Sequence, residues 1–269
     1  MTILNVVQEA VGAAKRCILE NLDKVTEYTG TINPYGDRTL RLDKEAEDEI
    51  LSVLKSSGID FAILTEERGF LKAEKKPEYL ALVDPIDGSA NLKLGIPLVS
   101  IGISIVPYGN DVTSDDAEIS VIDSVFTNET YVALTGKGVS RNGKTVRVRN
   151  PCEIENAIIS YDTKKTWDEE FVRNSLSTIR SVHDIRRTAT NLLDLCWTAA
   201  GFLDAMVDLR SMLPIIHLSG THMVLEAGGF VLDKNGQRFS SSLKPETMMS
   251  FVAASNEALA RQILARFQR

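Results

Sequence analysis

The chain has 269 residues, 43% of them hydrophobic and 25% charged, with a net charge of −7. That balance describes a soluble globular protein with ample material for a core, and the acidic excess points away from nucleic acid or an anionic membrane as partner. A small anionic substrate stays open, because a bound metal can supply positive charge.

Three widely spaced cysteines, Cys17, Cys152 and Cys196, show no CxxC pairing. With an N-terminus that lacks a signal-peptide layout, they suggest a reducing, cytoplasmic setting. No apolar run approaches membrane-spanning length.

Leu4, Val7, Val11, Ala14, Ile18 and Leu22 recur at spacings of three and four and predict a long helix over residues 3–28. "DKEAEDEILSVLKSS", residues 43–57, predicts a second, with Asp43 as N-cap. "FAILTEE" and "YLALVD" read as short buried strands that each end in acid. "KAEKKPEY", residues 72–79, reads as a solvated, mobile loop between them. "VSIGISIV" is a further strand, and residues 118–149 alternate as antiparallel hairpins do. "NAIISYD" resumes an alternation of helix and strand. "TATNLLDLCWTAAG" is a helix stopped by Gly201, "FLDAMVD" a strand, and "LSGTHMVLEAGG" a helix closed by Gly228-Gly229. The last helix, "SNEALARQILARF", is capped by Ser255 or Asn256. We divide the chain into an N-terminal α+β lobe, residues 1–150, and a C-terminal α/β lobe, residues 151–269, within one compact unit.

Acids concentrate at predicted strand ends: Glu66 and Glu67 in "LTEERG", Asp84 and Asp87 in "DPIDGS", with Asp43 as a third stretch. Converging carboxylates repel and desolvate badly unless a cation joins them, and Mg²⁺ suits such all-oxygen ligation. Pro85 should break the strand and let Asp84 and Asp87 turn toward one point. Gly88 permits close backbone approach, and the N–H groups after it can receive a phosphate. A type I turn with solvated acids is the plainer reading of the same residues.

"DPIDGSAN", with "TEERG" upstream, "GDRTLRLDKEAEDEI", "GFLDAMVDLR" and "LEAGG", resembles the inositol monophosphatase family over most of the chain. The resemblance implies a layered αβαβα sandwich of mixed α/β class, often homodimeric. It also implies a Mg²⁺-dependent phosphatase using two or three ions, with Mn²⁺ or Zn²⁺ as alternatives. Glu66 would bind two of the metals, Asp84 would bridge a pair, the Ile86 main-chain oxygen would ligate one and Asp87 another. Ser89, where the family usually has threonine, would pair with the glutamate to orient the attacking water, and Asp43 would join the hydrogen bonds around metal waters. The N–H groups of Gly88 and Ser89 would hold phosphate, and Asp208 would bind sugar hydroxyls.

One family position departs. The second-metal aspartate before "LEAGG" falls on Ile216 or His217, depending on the direction of counting. His217 can ligate a metal, though imidazole suits Zn²⁺ or Mn²⁺ better than Mg²⁺, or it can protonate a leaving alkoxide. Arg210, with Arg186 and Arg187, is a candidate for a second phosphate. His183, His222, Trp167, Trp197 and Cys196 read as packing or surface residues. The chain is thus expected to hydrolyse a sugar or polyol phosphate such as inositol-1-phosphate or fructose-1,6-bisphosphate, without nucleic-acid or membrane partners. The alternative is a catalytically impaired relative that binds phosphate ligands or serves in assembly.

Overall fold

The computed structural model describes residues 1–73, 75–163 and 168–268. Trp167, and Glu74 in the expected 72–79 loop, lie outside the described residues.

Helix α1 (Ile3–Glu20) begins at an N-cap Thr2, whose hydroxyl accepts from the Asn5 N–H at 3.3 Å. It stops short of residue 28. Its buried face ends at Ile18, and the Asn21 amide donates to the Cys17 carbonyl at 2.8 Å, a local bond that competes with further helix. A 3₁₀ turn leads to β1 (Tyr28–Ile32) and β2 (Arg38–Leu40), an antiparallel hairpin that periodicity does not announce.

Helix α2 (Arg41–Ser56) starts at N-cap Leu40, so Asp43 is corrected from a cap to a buried residue of the first turn. Leu40 and Leu42 are both core residues and anchor the passage from β2 into α2. The Asp43 carboxyl turns back to accept from the Leu40 N–H.

Eight strands then build one sheet: β3 (Phe61–Thr65), β4 (Gly69–Leu71), β5 (Tyr79–Asp87), β6 (Ser100–Pro107), β7 (Ile119–Ser124), β8 (Glu129–Leu134), β9 (Gly138–Arg141) and β10 (Lys144–Val146). Their spatial order is β10-β9-β8-β7-β6-β5-β3-β4, antiparallel apart from the β3–β5 pair. The short helix α3 (Ser89–Leu94) separates β5 from β6. A second sheet holds β11 (Ile158–Tyr161), β12 (Asp184–Arg186), β13 (Ala205–Pro214), β14 (Phe230–Asp233) and β15 (Met248–Ala254), ordered β12-β11-β13-β15-β14.

Helices α4 (Glu169–Ile179), α5 (Asn191–Ala199), α6 (Leu218–Glu226) and α7 (Glu257–Phe267) complete the chain. The last is capped by Asn256, which accepts from the Leu259 N–H at 3.0 Å. β13 starts later than "FLDAMVD" suggests, because Gly201 (φ +75°) ends α5 and the Phe202 N–H returns to the Trp197 carbonyl.

The layers are α1–α2, the eight-stranded sheet, α5–α6, the five-stranded sheet, and α4–α7, an αβαβα sandwich. Alternation along the strands explains it. Phe61, Ile63, Ala81 and Val83 pack toward α1–α2, while Ala62, Leu64, Leu80 and Leu82 face the layer of α5 and α6. Strands buried on both faces read as continuous apolar runs. The central core joins residues of both sheets, from Ala62 to Phe251, with buried Cys196 among them. Among the described residues no helix is long and apolar enough to cross a membrane.

Candidate active site

β5 does not break at Pro85. Asp84 pairs with Gly102 and Asp87 with Ser100, so three steps on β5 face two on β6 and one residue bulges. Side chains three apart on a regular strand point to opposite faces. The bulge restores one face to both carboxylates, and proline is tolerated there because it owes the ladder no donor. Thr65 pairs with Val83 in the parallel β3–β5 register, which carries Glu66 alongside Asp84.

Each carboxylate is half engaged. Asp84 is fully buried; its Oδ1 accepts from the Ile86 N–H at 3.1 Å, whereas no hydrogen bond satisfies its Oδ2. Asp87 Oδ2 accepts from Thr190 Oγ1 at 2.6 Å, the Leu192 N–H at 2.7 Å and Ser100 Oγ at 3.3 Å. Its Oδ1 faces His217 Nε2 at 3.9 Å, and the same nitrogen lies 3.2 Å from Asp84 Oδ2. His217 Nδ1 meets the Pro214 carbonyl at 3.2 Å, which assigns the ring proton to Nδ1. Ile216 is buried in the central core, so His217 alone of that pair reaches the carboxylates. One ligand atom each from Asp84, Asp87 and His217 lies within 4.8 Å of the others.

Gly88 follows with φ +99°, and a Cβ there would stand 2.8 Å from the Leu98 carbonyl oxygen, so only glycine fits the turn. Ser89 then opens α3. Its hydroxyl lies 3.3 Å from Asp43 Oδ1 and 3.1 Å from the Ile86 carbonyl, both acceptors. The acceptors around the serine are therefore Asp43 and the Ile86 carbonyl, where the resemblance pairs it with the glutamate. Glu67 accepts from Thr39 Oγ1 at 2.6 Å.

Burial governs the electrostatics. It raises the Glu66 carboxyl well above its usual range, aided by Glu67 and Asp43, and raises Asp84 likewise, aided by Glu66 and Asp87. Burial, then Glu67, pushes Asp43 up to about 8. Burial also lowers His217, favouring the neutral ring. So much carboxylate held from water is costly by itself, and a bound cation is one partner that would offset the cost.

The opposite wall is basic. Arg187 pairs with Asp162 at 2.9 Å, and Arg210 with the same carboxylate at 2.8 Å. Arg210 also grips Asp208, donating to Oδ1 from Nε at 2.9 Å and to Oδ2 from Nη2 at 2.5 Å. Asp208 is fully buried and does not line the cleft; it positions Arg210. Arg186 turns aside to Asp184 at 2.6 Å. His222 is buried between Ser120 and Thr135, and His183 lies at the surface.

The cleft between these walls encloses about 420 Å³, within the range of small-ligand sites. It brings together Asp43, Glu66, Asp84, Ile86, Asp87, Gly88, Ser89, Arg187, Arg210 and His217. Sequence reasoning missed Thr190 and Asp162. Thr190 stands at the N-cap position of α5 yet makes no cap bond, its hydroxyl being spent on Asp87 instead.

The model of the inositol monophosphatase family matches residues 2–269. A fructose-1,6-bisphosphatase/inositol-1-monophosphatase of Thermococcus kodakarensis is 31% identical over 242 residues, covering 90% of this chain and 87% of its own. A Nus factor SuhB of Pasteurella multocida is 29% identical over 239 residues, covering 87% and 86%. The crystal structure of an extragenic suppressor protein, suhB, from Bartonella henselae superposes with a TM-score of 0.86 at 25% identity, over 99% of this chain and 98% of that one.

Proposed function

The chain belongs to the inositol monophosphatase family, and we propose that it is a metal-dependent phosphomonoesterase acting on a sugar or polyol phosphate. Relatives named as fructose-1,6-bisphosphatase/inositol-1-monophosphatase make inositol-1-phosphate and fructose-1,6-bisphosphate the first substrates to try. The observation that carries the reading is the convergence of Asp84, Asp87 and His217, each with one atom held by the protein and one turned to a common point. The unsatisfied, fully buried Asp84 Oδ2 fits a cation there.

Divalent cations held by Glu66, Asp84, the Ile86 carbonyl, Asp87 and His217 would lower the pKa of a bound water and offset charge on the leaving oxygen. The chain's own groups do the rest. The Gly88 and Ser89 N–H groups, at the start of α3, receive phosphate oxygens. Ser89 commits its proton to Asp43 or the Ile86 carbonyl, which leaves oxygen lone pairs to accept from a water and aim it at phosphorus. Glu66, which follows β3 beside Asp84, would take the proton that water gives up. Arg187, partly exposed at the cleft wall, offers a guanidinium to further anionic or hydroxyl groups of the substrate.

A second reading, a relative that binds phosphate ligands or serves in assembly without turnover, draws on His217 standing where the family has a carboxylate. Homodimerisation and a cytoplasmic location belong to the proposal on the resemblance and the cysteine pattern. Steady-state phosphate release from the two substrates with Mg²⁺, Mn²⁺ or Zn²⁺ tests the first reading. Substrate binding without release, in folded and cation-loaded protein, would favour the second.

A further inference from the structure

We propose that the cation position between Asp84, Asp87 and His217 is a mixed nitrogen–oxygen site that selects an imidazole-preferring divalent cation, with Zn²⁺ as the type, over Mg²⁺. The proposal deepens the phosphatase reading and rests on it for the role of the cleft.

Three observations carry it. His217 Nδ1 meets a backbone carbonyl, Pro214 O, at 3.2 Å. A metal-ligating histidine characteristically donates its second ring N–H to a carbonyl or carboxylate, fixing the tautomer and leaving the other nitrogen's lone pair for the metal. Next, Nε2 approaches Asp84 Oδ2 to 3.2 Å, yet that oxygen has no hydrogen bond. With the ring proton held on Nδ1, Nε2 turns its lone pair toward that oxygen. Nε2 stands 3.2 Å from Asp84 Oδ2 and 3.9 Å from Asp87 Oδ1, so the three donors face one point at separations a single cation could span. Lastly, Asp87 spends Oδ2 on Thr190, Leu192 and Ser100, which leaves Oδ1 as its ligand atom on the His217 side.

Mg²⁺ takes oxygen donors and sheds its waters reluctantly, so replacing a carboxylate by imidazole removes both a preferred donor and a negative charge. Zn²⁺ accepts nitrogen and oxygen together in four-coordinate sites. Any such site favours Zn²⁺ or Co²⁺ over Mg²⁺ to a degree. The distinguishing quantity is how far the ratio depends on His217.

Binding of Mg²⁺, Zn²⁺ and Co²⁺ to the whole, metal-stripped chain would be measured by calorimetry, with Co²⁺ visible absorption as the readout of nitrogen ligation. His217→Asp and His217→Gln would be compared with the parent, after melting curves establish folding. The Co²⁺:Mg²⁺ affinity ratio should fall at least tenfold in His217→Asp, with a weaker and shifted absorption band in both variants. An unchanged ratio and an unchanged spectrum would overturn the proposal. Phosphate release, assayed separately, keeps the two readings apart. Loss of turnover with intact His217-dependent Co²⁺ binding fails the phosphatase reading alone. Turnover with a His217-independent cation order fails only this inference.

Discussion

Thr190 Oγ1 donates to Asp87 Oδ2 at 2.6 Å, across 103 residues of sequence and from one sheet's half of the chain to the other. The bond fixes which carboxylate oxygen remains for a ligand. Groups of this kind, one bond behind a metal ligand, typically cost 10–100-fold in metal affinity when removed. Thr190→Val should therefore weaken Co²⁺ binding by roughly tenfold or more, beyond the loss of about 1.5–3 kcal/mol of stability expected from removing a bond to a buried carboxylate. Calorimetric titration beside a melting curve checks it, and unaltered affinity would show that Asp87 is held without Thr190.

Gly88 carries φ +99° and faces the Leu98 carbonyl. Gly88→Ala sets strained backbone against a clash and should destabilise by about 1–3 kcal/mol. It should also displace the Gly88 and Ser89 N–H groups, so that inorganic phosphate binds more weakly than stability alone explains. Urea midpoints and phosphate titration separate the two effects.

The basic wall holds one buried and one part-exposed arginine. Arg210 is nearly buried between Asp162 and Asp208, and removing one partner of buried charges costs about 3–5 kcal/mol. Arg210→Met should show that loss in urea unfolding. Arg187, 30% exposed, should instead give a near-neutral stability change and a raised KM when replaced by alanine.

The cation-free protein should respond to pH with a definite sign. Burial raises Asp43 to about 8 and Asp194 to about 7, both above the usual carboxylate value of 3.8. Such groups favour the folded state in protonated form, so their contribution is complete below about pH 4 and is lost as pH rises through those values. His222, lowered by burial to about 4, acts oppositely: its contribution is present above 6.5 and lost as pH falls through about 4. Thermal melts in chelator should fall in Tm between about pH 5 and 8, and a divalent cation should restore Tm most at pH 8. A chelated protein with flat Tm over that range would contradict the burial of these acids.

Much of the acidic half of the site could be read from the chain because its signals are local. Asp84, Asp87, Gly88 and Glu66 lie in short runs where strand, turn residue and acid coincide. The bulge at Pro85–Ile86 was not legible, since it exists only relative to β6, and a proline between apolar residues reads as a strand break. Thr190 and Asp162 were illegible for a related reason: their partners, Asp87 and Arg210, are distant in sequence. Asp208 shows the limit of motif matching. Its place in "GFLDAMVDLR" is family-like, but its carboxylate is consumed by Arg210 two residues on. The 3₁₀ turn before α6 packs Ile216 into the central core and aims the likewise buried His217 at Asp84, a difference no counting along the chain shows.

The most direct test of the central claim is phosphate release from inositol-1-phosphate and fructose-1,6-bisphosphate by the whole chain, in chelator and with Mg²⁺, Mn²⁺ or Zn²⁺, beside Asp84→Asn. Cation-dependent turnover that falls by at least 10³-fold in Asp84→Asn, roughly 4 kcal/mol of barrier, is the result expected. Folded, cation-binding protein that releases no phosphate from either substrate, or an Asp84→Asn variant as active as its parent, would contradict it.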